Sequence, residues 1–267
     1  VAAAALELGL VGLTDKVFCP GFYELGSRKF HCWLKGGHGK LTLQESIQKS
    51  CDVYFNELAR KVGVKRIGAM ARQLGFGQSY NLPLTGLSKG FVPTKKWKKE
   101  RFGTSWLVGD TLNVGIGQGF SLATPLQLAV MTARLASGKE ITPNIIKNPK
   151  QNTDNPKALS IKENTLVANR KAKLDVLNEK HGTAFNFRTT DKNFLIAGKT
   201  GTSQVRRITR EELEEGGIKN EDLPWKMRDH ALFTCFAPYK NPKYALSVVV
   251  EHGGSGSKVA APIARDI

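Results

Sequence analysis

The chain has 267 residues, 40% of them hydrophobic and 8% aromatic, with 27 glycines, which supports a sizeable core and excludes a wholly disordered, collagen-like or coiled-coil chain. Forty Lys+Arg against 23 Asp+Glu leave a net charge of +17, which favours an anionic partner such as nucleic acid, phospholipid or an anionic wall polymer. No zinc-finger spacing or RNA-binding aromatic motif accompanies the charge, so nucleic acid is not expected, and four cysteines are too few for a disulfide-stapled miniprotein.

Val1 to Leu13 reads as a helix, too short and, with Glu7, too polar to span a membrane, and without the basic start of a signal peptide. It begins without Met and without a capping residue, as if in mid-helix, so a fragment is expected. Thr14 to Lys40, rich in Gly, Pro, Cys and His, reads as irregular. Leu41 to Val62 is helical in pattern, with Leu43, Ile47, Cys51 and Tyr54 at helical spacing and Gly63 as a stop. An amphipathic stretch follows from Lys65 to Leu74. Leu82 to Gly119, studded with Pro and Gly, reads as loop, including the basic run Lys95, Lys96, Lys98, Lys99 and Arg101 as a solvated segment. Thr124 to Ala136 is a helix with Pro125 in its first turn, and Asn148 to Pro156 is a surface loop. Asn164 to Asn178 reads as helix.

The remainder changes character. Phe194 to Arg206, Ala231 to Ala237 and Tyr244 to Glu251 are short apolar or β-branched runs that read as strands. Between the first two lies a charged insertion, Ile208 to Arg228, with a helical start at Thr209 to Glu215, and Ala260 onward reads as the first turns of a helix. Helices first and strands last imply an α+β domain with an antiparallel sheet.

Lys199-Thr200-Gly201-Thr202 falls on a predicted strand. A cation, two hydroxyls and a glycine in sequence suit a peptide carboxylate: charge attracts it, hydroxyls bond it and glycine clears room beside the backbone. The strand edge can also pair with an extended peptide. Ser50-Cys51-Asp52, where one helical stretch ends and another begins, is the second element. Together they match two of three motifs of the penicillin-reactive serine acyltransferases, Ser-x-x-Lys, Ser-x-Asn and Lys-Thr-Gly. Gly109-Asp110-Thr111-Leu112-Asn113 with Gly115-Ile116-Gly117-Gln118-Gly119, then Ala123-Thr124-Pro125-Leu126-Gln127, Asp229-His230-Ala231, Phe236-Ala237-Pro238-Tyr239 and Glu251-His252-Gly253-Gly254 sharpen the match. On these residues nearly the whole chain resembles the transpeptidase domain of the penicillin-binding protein 2 family, the class B enzymes of rod elongation.

The resemblance implies a penicillin-binding-protein or serine β-lactamase-like α+β fold, an antiparallel sheet flanked by helices plus an all-helical lobe, truncated at both ends. Residues 1–267 would form a single transpeptidase domain, with a helical lobe at about 14–136 and a strand-rich lobe at about 190–267. The nucleophile and its lysine would lie just upstream of residue 1, leaving this piece inactive by itself; the local Ser46-Ile47-Gln48-Lys49 is set aside because it abuts Ser50-Cys51-Asp52 in one helical stretch. The missing serine would attack the bond between two terminal D-alanines of a peptidoglycan stem peptide and pass the acyl group to a neighbouring amine. Ser50 would relay protons, Lys199 would hold the network, and Thr200 and Thr202 beside Gly201 would bind the substrate carboxylate, with the Thr202 N–H in the oxyanion hole. β-Lactams would acylate the same serine. Asp52 stands where the family generally has Asn, and a carboxylate accepts but does not donate, which puts the usual amide contact to substrate in doubt; capping a helix is its bland alternative. The family also implies a membrane glycosyltransferase partner of the elongation machinery and a place at the periplasmic face of the bacterial inner membrane, the anchor lying outside this chain.

Cys19, Cys32, His38 and Cys51 form a second constellation, spaced C-x12-C-x5-H-x12-C. Thiolate and imidazole are the ligands tetrahedral zinc prefers, though the spacing is not that of a ribbon or finger, and some relatives in the family hold zinc near Ser-x-Asn through Asp, His and Cys. A structural zinc is expected, with a disulfide or free thiols as alternatives, and His31 as the alternative to His38. Gly115, Gly117 and Gly119 lack the order of a nucleotide loop, and His230 and His252 read as structural groups. Two other functions remain open at this level: a serine β-lactamase, although Leu174 occupies the position of its deacylating Glu, and a non-catalytic β-lactam-sensing or scaffold domain.

Overall fold

The structure, a computed structural model, describes residues 1–146, 156–206, 208, 212 and 218–267. The loop expected at Asn148–Pro156 and the helical start at Thr209–Glu215 fall almost wholly outside the described residues. The chain divides into two compact units, Val1–Ala172 and Lys173–Ile267, the boundary in sequence falling within the helix Glu163–Asn178. The first contains α1 (Ala2–Glu7), β1 (Val17–Cys19), β2 (Phe22–Leu25), β3 (Arg28–His31), β4 (Gly39–Leu41), α2 (Leu43–Gln48), α3 (Asp52–Val62), α4 (Val64–Gln73), α5 (Lys95–Phe102), α6 (Val108–Gly115), α7 (Pro125–Ser137) and most of α8 (Glu163–Asn178). The second adds β5 (Ala197–Ser203), β6 (His230–Ala237), β7 (Tyr244–Val250), a π-helical turn at Gly256–Ala260 and α9 (Ala261–Asp266).

α1 is shorter than expected because Gly9, at φ 64°, takes the left-handed closing position: its N–H and that of Leu10 bond back to the Leu6 and Ala5 carbonyls at 3.0 and 2.9 Å. Four buried alanines, Ala2–Ala5, let α1 approach α3 and α4. α3 is the hub of this unit. Tyr54, Leu58, Ala59 and Val62 lie buried along it, each large side chain contributing about 1.5–3 kcal/mol by leaving water. Where α3 meets α6, a Cβ on Gly115 would lie 2.3 Å from the Ala59 methyl, so this glycine serves helix packing.

Besides the length of α1, three expectations need correction here. Thr14–Lys40 is not irregular: β1 pairs antiparallel with β4 and β2 with β3, so the lobe is not all helical. These ribbons are too short to show a period of two. The helical stretch Leu41–Val62 is two helices, with Leu41 itself in β4 and a break at 49–51. Leu82–Gly119 is not all loop. Thr94 caps α5 by accepting the Trp97 N–H at 3.1 Å, and Asp110 accepts the Leu107 N–H at 2.7 Å at the start of α6. The basic run is therefore helical, and Lys98 within it is buried and paired with Asp110. Its inward anchor is aromatic, Trp97 against Phe91, Phe102 and Phe120, so an aliphatic stripe is missing from the sequence.

In the second unit the strands order β5-β6-β7, all antiparallel, with Lys199 opposite Thr234 and Thr202 opposite Ala231. Phe233, Cys235 and Phe236 bury the middle strand. Among the described residues β5 is an edge of this sheet.

Candidate functional site

The break between α2 and α3 is a closed turn with serine in an unusual place. The Ser50 N–H bonds to the Ile47 carbonyl at 3.3 Å and the Cys51 N–H to the Ser46 carbonyl at 2.9 Å, the pairing that ended α1 at Gly9. Ser50 occupies the glycine position of that motif, at φ 55°. A side chain there costs roughly 1–2 kcal/mol, strain that the surrounding turn over-determines. Ser46, by contrast, is fully buried and its hydroxyl donates to the Leu43 carbonyl at 2.7 Å, which closes it to chemistry.

Asp52 opens α3, where a carboxylate favours the helix N-terminus, and its Oδ2 accepts the backbone N–H of Trp33 at 3.0 Å. The Trp33 indole N–H donates to the Lys49 carbonyl at 3.1 Å. Two bonds thus fasten the ribbon to the turn that carries Ser50.

The ribbon brings Cys19, Cys32, His38 and Cys51 together, one donor atom of each lying within 4.8 Å of the others. Cys19 ends β1, Cys32 follows β3, His38 precedes β4 and Cys51 precedes α3. His31, the alternative ligand, is exposed on β3 opposite Phe22. Two glycines make the crossing of loops feasible: a Cβ on Gly21 would fall 2.2 Å from the Lys35 carbonyl oxygen, and one on Gly37 2.2 Å from that of Cys19. None of the four cysteines is in a disulfide. His38 Nδ1 lies 3.7 Å from Cys19 Sγ and 3.5 Å from Cys32 Sγ. Around a tetrahedral zinc, ligand bonds of ~2.3 Å to sulfur and ~2.0 Å to nitrogen separate an S from an N by about 3.5 Å, so the two His38–thiol separations and the donor types suit that ion. The hydrogen bond from Cys51 pulls the Cys32 thiol below its ordinary range against the opposing effect of burial, helped by backbone N–H groups of Leu34, Asp52 and Val53; the same bond and burial push Cys51 up. The start of α3 thus aims N–H groups at a thiolate.

In the second unit, Lys199 Nζ bonds to the Thr200 carbonyl at 3.0 Å and reaches Thr200 Oγ1 at 3.4 Å. Strand alternation places Thr200 and Thr202 on one face. Gly198 is required by its neighbours, since a Cβ would fall 2.6 Å from the Phe233 ring, and a Cβ on Gly256 of the π-helical turn would lie 2.3 Å from the Gly201 oxygen. Ser255 and Lys258 repeat the Ser-x-x-Lys spacing, a motif sequence reading passed over; Ser255 caps the turn by accepting the Lys258 N–H at 3.3 Å. His230 Nδ1 accepts the His252 N–H at 2.9 Å, a structural bond. Sequence reading also missed Thr183, whose hydroxyl oxygen is 2.9 Å from that of Thr200. Only the neighbouring Gly182, a turn signal after a helix, marked the place.

Ser50-Cys51-Asp52 at the helix junction and Lys199-Thr200-Gly201 on β5 are the two segments whose sequences resemble motifs of the penicillin-reactive serine acyltransferases. The chain belongs to the family described as penicillin binding protein transpeptidase domain, whose model matches residues 1–267. It is 34% identical to the peptidoglycan D,D-transpeptidase MrdA of Haemophilus influenzae over 289 residues, covering 100% of this chain and 42% of that protein. Pseudomonas aeruginosa PBP2, solved in complex with WCK 5153, is 36% identical with a TM-score of 0.83, over 99% of this chain and 57% of that one. Helicobacter pylori PBP2, solved with MreC, is 34% identical with a TM-score of 0.84, over 99% and 48%. The chain spans about two fifths of the length of the curated relatives it matches.

Proposed function

We propose that the protein is a peptidoglycan D,D-transpeptidase that cross-links stem peptides during cell-wall elongation and is acylated by β-lactams. The observation that carries this is the edge strand β5, on which Lys199, Thr200, Gly201 and Thr202 offer a cation, two hydroxyls and open backbone to an extended peptide ending in a carboxylate. Thr200 and Thr202 bind the carboxylate of the D-Ala-D-Ala terminus or of a β-lactam, and the Thr202 N–H serves the oxyanion. Lys199 lowers hydroxyl pKa values through its charge and Ser50 relays protons to the leaving amine. Asp52 fixes the Ser50 turn through Trp33, in place of the amide contact its Asn counterpart would make. Residues 1–267 are assigned no acylated serine, since Ser46 is sealed and Ser255 caps a turn, so the chain by itself is inactive in this reading.

In the same reading Cys19, Cys32 and Cys51 with His38 Nδ1 hold a structural zinc ion, supported by four zinc-type donors within 4.8 Å of one another and by the two His38–thiol separations. When bound, the ion neutralises thiolate charge and ties both ribbons to the start of α3. The protein works at the periplasmic face of the inner membrane beside a membrane glycosyltransferase, and no nucleic acid takes part. No helix among the described residues is long and apolar enough to cross a membrane.

Labelling of the full-length protein by fluorescent penicillin tests the reading. Wild type is expected to label covalently, Lys199→Ala to label at least 100-fold more slowly, in line with loss of a charged group from a catalytic site. Unchanged labelling of Lys199→Ala refutes the assignment of β5.

A further inference from the structure

The hydroxyl that contacts Thr200 comes from outside both sequence motifs, and the chain is built to deliver it. The Asn178 amide at the end of α8 donates to the Leu174 carbonyl at 2.8 Å and to the Ile196 carbonyl at 3.0 Å, tying the helix end to the residue before β5. A tight turn follows, with the Gly182 N–H bonded to Glu179 at 2.8 Å and the Ala184 N–H to Val176 at 3.0 Å. A Cβ on Gly182 would fall 2.2 Å from the Val176 oxygen, so the turn closes only with glycine there. It sets Thr183 Oγ1 2.9 Å from Thr200 Oγ1.

The proton count of that contact bears on recognition. A threonine hydroxyl has one proton and two lone pairs. Lys199 Nζ, 3.4 Å from Thr200 Oγ1, can only donate to it. If Thr183 also donates, both lone pairs of Thr200 are engaged and its proton is directed outward, toward an acceptor. If Thr200 donates to Thr183 instead, an arriving carboxylate meets a lone pair. A carboxylate, which only accepts, selects the first arrangement, and a chain of bonds polarised in one direction strengthens each member.

Building on the transpeptidase reading, we infer that Thr183 is a positioning residue for substrate recognition: its hydroxyl donates to Thr200 and thereby points the Thr200 proton at the C-terminal carboxylate of the stem peptide or the carboxylate of a β-lactam. Thr183 acts through Thr200 and does not touch the substrate.

The test measures the second-order acylation rate of the full-length protein by a penicillin with a free carboxylate and by its methyl ester. Thr183→Val, close to isosteric, should lower the rate with the free acid roughly tenfold, the loss of about one hydrogen bond to a charged group, and leave the ester rate within about twofold. Thr183→Ser should restore the free-acid rate. Should the valine variant fold poorly, Thr183→Cys, a weak donor, is expected to fall between wild type and the tenfold loss. An equal loss on acid and ester, or no loss on either, overturns the inference while leaving the transpeptidase assignment standing. A wild type that penicillin does not acylate overturns both.

Discussion

The backbone N–H of Trp33 donates to the Asp52 carboxylate at 3.0 Å, so a residue of the cysteine-bearing ribbon is held by the residue two places after Ser50. The acid at position 52 has a job that Asn could share, since an amide oxygen accepts the same bond, whereas Ala cannot. Asp52→Ala should lower stability by about 1 kcal/mol from the lost bond and the lost charge at the helix start, and Asp52→Asn by less than half of that. Denaturant midpoints of the two variants decide it, and equal losses would show that the Trp33 contact is incidental.

Ser50 sits where helix ends prefer glycine. Ser50→Gly should therefore be more stable than Ser50→Ala by about 1 kcal/mol, because alanine keeps the left-handed strain and glycine does not. Both should lose acylation by penicillin in the full-length protein. The result separates strain from chemistry at one position, the pattern expected where stability is given up for function. Equal stabilities would mean that the turn relaxes around the side chain.

Protein purified without chelator should carry about one zinc per chain by elemental analysis, and a strong chelator should lower its melting temperature by several degrees or more, because ion binding adds directly to folding free energy. Cys51→Ser and His38→Ala should each weaken retention. A metal-free protein with an unchanged melting temperature leaves the cluster as packed thiols.

Lys173, on α8, is buried, and burial lowers its pKa to about 8 from 10.5, while burial raises Cys235 beside it to about 11 from 9. The unfolded chain then holds more protons than the folded one between about pH 8 and 10.5 at Lys173, so stability rises with pH across that window; Cys235 works in the opposite direction from about pH 9 to 11. The clean interval is pH 8 to 9. At pH 7, Lys173→Met should stabilise the protein by roughly 1–3 kcal/mol, up to the full worth of the pKa difference, and the rise should disappear. Melting curves of both proteins at pH 7, 8 and 9 test this, and a parallel pH response would show that Lys173 reaches water.

The sequence by itself determined what local chemistry can encode. α7 follows from Thr124 and Pro125, and the structure has Thr124 accepting the Gln127 N–H at 3.2 Å with Pro125 in the first turn. The three strands of the second unit were readable within a few residues from β-branched runs, and Lys199 to Thr202 could be placed on one of them. The four metal-type side chains could be listed from residue type alone. α5 and the two ribbons were not readable, because their stabilising contacts are aromatic or long in sequence separation rather than periodic. Only the tertiary structure decided that Ser50 is left-handed, that Asp52 holds Trp33, that His38 rather than His31 joins the thiols, and that Thr183 meets Thr200. Each of these depends on a close approach between segments remote along the chain. A hydroxyl or carboxylate acquires its direction from such neighbours, and the direction, more than the residue type, sets what it can bind.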